Sequence, residues 1–97
     1  MFIVKIHIAD GKRVIALCDK DVLNKKFEEG EKQLDVTAQF YQGEEKTKEE
    51  VIDLFTKPGH VNAIGKESVT LLVEQDLIDS DHVREIAGIP YGIVSLQ

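Results

Sequence analysis

The sequence predicts an α+β domain: an N-terminal antiparallel hairpin plus further strands in a small sheet, with three to four helices packed mainly on one face. Three observations predict it. Apolar residues alternate at period two through residues 2–8 and return through residues 13–18, on either side of Asp10-Gly11. Thr47 and Glu50 supply the two halves of a capping box ahead of an apolar stripe at helical spacing. The 97 residues are 42% hydrophobic and 31% charged with two prolines, which suits one core and excludes collagenous, low-complexity and wholly disordered chains. Residues 1–97 read as a single domain.

Phe2, Val4, Ile6 and Ile8 alternate with Ile3, Lys5 and His7, the period of a half-buried strand. Asp-Gly between two apolar runs signals a type I′ turn, because both central residues need positive φ. The register then sets Ile6 opposite Ile15, Val4 opposite Leu17, His7 opposite Val14 and Ile3 opposite Cys18. A one-residue slip would scramble the apolar face. After Asp19 or Asp21 as N-cap, Val22, Leu23, Lys26 and Phe27 have helical spacing, and Gly30 suits a helix stop. Leu34, Val36, Ala38 and Phe40 then alternate with polar residues as a third strand, ended by Gln42-Gly43.

The capping box opens a helix whose stripe is Val51, Leu54 and Phe55, and Lys57-Pro58-Gly59 ends it. Residues 58–65 read as a loop joining this helix to another over residues 66–75, whose core face is Val69, Leu72 and Val73, with Leu77 and Ile78 docked behind it. Residues 79–88 fit a short helix capped by Ser80 and stopped by Gly88, with an extended alternative from Val83. Pro90 sets a boundary before a final strand over residues 91–96, the expected exposed edge.

Charge and cysteine usage bound the function. The net charge of −6 disfavours wholesale attraction to nucleic acid or anionic lipid. Positive residues nevertheless gather early: Lys5, Lys12, Arg13, Lys20, Lys25 and Lys26 outnumber the acids of the first quarter, and Lys12, Arg13, Lys25 and Lys26 are candidate RNA phosphate contacts. Aromatic interleaving is poor there, so RNA is a minor expectation. Cys18 is the only thiol, so no disulfide forms within the chain, which fits a cytoplasmic location. No apolar run approaches the roughly 18 to 20 residues that span a bilayer, and residues 2–8 are too short and interrupted for a secretory signal. No membrane association is expected.

Few side chains carry chemistry. A catalytic cysteine needs a base or a positive field, and His7 lies four residues along the strand from Cys18's partner position, about 13 Å away. His60 and His82 could reach the thiol only through tertiary contact. The three histidines show no metal-ligand spacing, and the Asp76, Asp79, Asp81 and His82 cluster lacks the pattern of a calcium loop. No metal or cofactor is expected, since dinucleotide, nucleotide triphosphate and nucleophile-elbow motifs do not occur. The 58–65 segment holds two glycines, an imidazole and the Asn62 amide, a composition that suits a functional loop as well as a plain connection.

Residues 11–19 (GKRVIALCD), 23–30 (LNKKFEEG), Leu34-Asp35-Val36, Phe40-Tyr41-Gln42-Gly43, 61–65 (VNAIG) and Ala87-Gly88-Ile89-Pro90 occur in one order along nearly the whole chain. Together they resemble a family of archaeal proteins known as domain of unknown function 424. The resemblance implies an archaeal cytoplasmic protein of this size, with no activity to carry over and a loose link to translation. Cys18, Asp19, Tyr41 and Asn62 fall on its motifs and are the candidate pocket or interface residues. The expected function is a non-catalytic binding module for a protein or ribonucleoprotein partner. The alternative is a small enzyme or ligand-binding protein with a pocket around Cys18, Tyr41 and Asn62.

Overall fold

The computed structural model describes residues 1–37 and 39–96. Strands β1 (Phe2–Ala9) and β2 (Lys12–Asp19) form the predicted hairpin in the predicted register, with Ile3 facing Cys18, Val4 facing Leu17, Ile6 facing Ile15 and His7 facing Val14. Asp10 and Gly11 both take positive φ in its turn.

A 3₁₀ turn (Lys20–Val22) leads to a separate hairpin of β3 (Lys26–Glu29) and β4 (Lys32–Asp35). This corrects the helix predicted after Asp19 and shortens the predicted third strand. Asn24 takes a φ of 67° and its amide donates to the Val36 carbonyl at 3.1 Å, breaking any helix in its first turn. A helix of that length has little intrinsic stability to oppose this. Gly30 takes positive φ as expected, but inside the β3–β4 turn. β4 ends at Asp35 because its carboxylate accepts the Thr37 amide at 3.0 Å and turns the chain. Ala38, part of the predicted alternation, lies outside the described residues, and Gln39–Tyr41 forms another 3₁₀ turn.

β5 (Glu44–Lys46), which the sequence did not announce, precedes α1 (Lys48–Leu54). The capping box is present: the Thr47 hydroxyl accepts the Glu50 amide at 3.2 Å, and the Glu50 carboxylate accepts the Thr47 amide at 2.9 Å. The segment read as a helix connection is β6 (Gly59–Ile64), a central strand parallel to β2. Its flanking glycines and proline read as loop, yet Val61 and Ala63 face one side while His60, Asn62 and Ile64 face the other. α2 (Lys66–Glu74) follows, with Ser68, Val69, Leu71 and Leu72 buried. Residues 79–88 take the extended alternative: a 3₁₀ turn (Ser80–His82), then β7 (Arg84–Ile86) hairpinned through Ala87 and Gly88, both at positive φ, to β8 (Ile89–Leu96).

The result is a six-stranded mixed sheet in the order β5-β1-β2-β6-β8-β7, with two α-helices among the described residues in place of the three to four expected. Both helices pack on one face, over Val4, Ile15, Leu17, Val61 and Ala63. The β3–β4 hairpin and the 3₁₀ turns cover part of the other, over Ile3, Cys18 and Ile64, with Val22 and Val36 buried beneath them. No described helix is long and apolar enough to cross a membrane.

Candidate functional site

Strand pairing fixes where each candidate residue stands. Cys18 points to the hairpin-covered face and is 0% exposed. Burial, with smaller contributions from Asp19 and Asp21, pushes its thiol from 9.0 to about 12. Little thiolate exists at neutral pH under those conditions. Tyr41 packs in the same cluster, and burial followed by the neighbouring Cys18 raises its phenol to about 12. Asp19, next along β2, points to the opposite face and is 4% exposed. Its Oδ1 accepts the Ser68 amide at 2.8 Å and the Ser68 hydroxyl at 2.7 Å, and its Oδ2 accepts the Glu67 amide at 3.0 Å. The carboxylate thus caps α2 from a distant strand. Gly65, at φ 114°, permits this approach, since a Cβ there would sit 2.6 Å from Asp19 Oδ2. Asn62 is half-buried on the Cys18 face, opposite Ala16 and Ile93 and two residues short of Ile64, Cys18's neighbour.

None of the described histidines hydrogen-bonds Cys18. His7 Nε2 lies 2.9 Å from the Phe40 carbonyl oxygen, and its ring stacks on Phe40 at 4.3 Å. His60 faces Val14, four residues along β2 from Cys18, and its Nδ1 lies 3.1 Å from Ser95 Oγ. His82 sits at the surface with Nδ1 3.7 Å from the Asp79 carboxylate. No group of three or more His, Cys, Asp or Glu among the described residues is placed to hold a metal ion.

The four candidate phosphate contacts are not brought together. Lys26 lies on β3 and pairs with Glu28 at 3.3 Å, and Lys25 precedes it. Arg13 instead reaches the helix side, where Nη2 donates to the carbonyls of Leu54 at 2.8 Å and Lys57 at 3.0 Å. Lys12 and Arg13 share a rim hollow with Lys57, His60 and Ser95. Sequence reasoning missed these last three as site residues; the period-two alternation of residues 60–64 was the available signal for His60.

The sheet edges are unevenly covered. β5 pairs only with Phe2, Ile3 and Val4, and β7 only with Ile89, Pro90 and Tyr91. Residues 5–9 of β1 and 92–96 of β8 therefore have no outer strand among the described residues. Near these half-edges Ile6 is 40% exposed, Ile8 76% and Ile93 69%.

These features define a mixed-sheet α+β domain whose reactive groups are mostly engaged in structure. Residues 6–95 match the family described as protein of unknown function, DUF424, and the chain belongs to it. The fold is similar to that of an uncharacterized conserved protein from Methanopyrus kandleri, with a TM-score of 0.79 and 23% identity over 98% of this chain and 90% of that one. A comparison with curated proteins gave no match.

Proposed function

We propose that this domain is a non-catalytic binding module for a protein or ribonucleoprotein partner, docked along the open half-edge of β1. One observation carries the reading: among the described residues no strand pairs with the outer side of residues 5–9, where Phe40 sits at His7 and Ile8 is 76% exposed. An open edge is a template for strand addition, in which main-chain bonds supply affinity and alternate side chains supply selectivity. The open part of β8 is less accessible, because Leu77, Ile78 and Asp79 stand beside it across a shallow hollow. A reducing cytoplasm suits the lone buried thiol.

The alternative pocket around Cys18, Tyr41 and Asn62 draws less support. Cys18 and Tyr41 both titrate far above neutrality, and Asp19 is held at α2.

The test is affinity capture from an archaeal extract with the intact chain and with Ile8→Lys, which places a charge at the edge without touching the core. A stable partner held by the intact chain and lost by the variant is expected. Recovery of the chain only as a free monomer would overturn the proposal.

A further inference from the structure

A hollow beside β7 and β8 is lined by two cations, Lys32 and Arg84, and no described acidic residue, and the rim hollow by three cations. The rim hollow measures about 610 Å³ and lies where the β1–β2 turn, the start of β6 and the end of β8 meet. Lys12, Arg13 and Lys57 line it together with His60 and Ser95, and no acidic side chain among the described residues does. By contrast, the hollow beside the start of α2 mixes Lys48 and Lys66 with Glu67 and Glu74, and the one beside β8 contains Asp76 and Asp79. On a chain of net charge −6, a concave surface lined by three cationic side chains concentrates positive potential.

From this arrangement we infer that the hollow binds the phosphate group of a phosphorylated ligand. Arg13 is its fixed element. Its two bonds to the Leu54 and Lys57 carbonyls use Nη2 alone and orient the guanidinium plane, leaving Nη1 without a partner among the described residues. Nε is buried and likewise unpartnered among them. The wall is closed by Gly59, at φ 155°, where a Cβ would come within 2.6 Å of the Arg13 carbonyl oxygen. That close approach brings His60 to the rim.

At the same rim, on the other side of the sheet from the Arg13 guanidinium, His60 and Ser95 face each other across β6 and β8. When the Ser95 hydroxyl donates to Nδ1, the neutral ring carries its proton on Nε2, which is then a free donor. Lys12 and Lys57 are exposed and flexible enough to close on a ligand. Three cations suit a doubly charged group with three acceptor oxygens better than a carboxylate. The volume falls in the range of small-molecule sites and leaves room for what the phosphate is attached to. No Phe or Tyr lines it, so phosphate recognition, not base stacking, sets affinity. The site does not depend on the docking edge, which uses other residues.

The experiment is a titration of the full ¹⁵N-labelled chain, followed by its amide resonances, with inorganic phosphate, a phosphomonoester and a short single-stranded RNA. Saturable shifts at Gly11, Lys12, Gly59, His60 and Ser95 are expected. Lys12→Gln and Lys57→Gln, both at exposed positions, should each weaken binding by about tenfold while leaving the remaining spectrum unchanged, the scale of one charge-assisted hydrogen bond. Tightest binding of the phosphomonoester would identify a free ligand. Tightest binding of RNA, with a salt dependence corresponding to several phosphates, would overturn the inference, since each phosphodiester carries one charge and two free oxygens. The inference is overturned if no probe moves these amides or if the shifts survive both substitutions.

Discussion

The two ends of the sheet treat polar side chains in opposite ways. At the end where β5 and β7 cover the edges, Cys18 is sealed in the cluster under the β3–β4 hairpin with Tyr41 half-buried against it, and Asp19 is locked on the first amides of α2. At the other end, β1 and β8 run on without outer strands among the described residues, isoleucines stand in solvent, and Lys12, Lys57 and His60 line an open rim. The groups most able to do chemistry hold the fold together at the closed end, whereas the groups left free at the open end are suited to contact.

The largest expected effect is at the closed end. Asp19→Ala removes a buried carboxylate with three hydrogen bonds, leaving the Ser68 hydroxyl and two helix amides unsatisfied. It should cost about 3 kcal/mol in urea unfolding. A loss under about 1 kcal/mol would mean that the clamp is not what joins β2 to α2.

Alkaline pH should act on the same end. Cys18 rises from 9.0 to about 12 and Tyr41 from 10.0 to about 12 on folding. Between those values the unfolded chain has lost protons that the native chain keeps, so stability falls as pH rises above about 9 toward 12. Stability measured against pH should decline in that window, and Cys18→Ala should make the decline shallower. An identical slope in the variant would contradict the sealed thiol.

Arg13 acts at the open end, where it anchors the C-terminus of α1. Arg13→Ala should cost about 1 to 2 kcal/mol, within the range of charge-assisted bonds to carbonyls, with urea unfolding as the measurement. The smallest effect belongs to the open edge. Ile8→Thr should change stability by no more than about 0.5 kcal/mol. A much larger loss would show that Ile8 supports the core and that the edge is not free surface.

Much of this was legible in the sequence, and the misreadings share a cause. The first hairpin, its register, the capping box and the second helix follow from local signals that tertiary packing reinforces. β6 was read as a loop because Pro58, Gly59 and Gly65 flank its short period-two run, and its parallel pairing with β2 depends on residues more than forty positions away. The helix expected after Asp19 was a true local pattern, overridden by Asn24 at positive φ and by the burial of Val22 and Val36 against the sheet. Among candidate site residues, strand parity placed Cys18 correctly on the face of Ile3. That Asp19 would cap a helix, and that Arg13, Lys57, His60 and Ser95 would meet at one rim, needed the fold.

The most direct test is the reactivity of Cys18 toward a thiol-specific disulfide reagent in the folded chain, followed across pH. Sealed as described, the thiol should react only at the rate at which the chain opens, with no step near the unperturbed value of about 8.5. Rapid native-state reaction that titrates near or below that value would show an accessible thiolate at the closed end, and the division between a structural end and a contact end would fail.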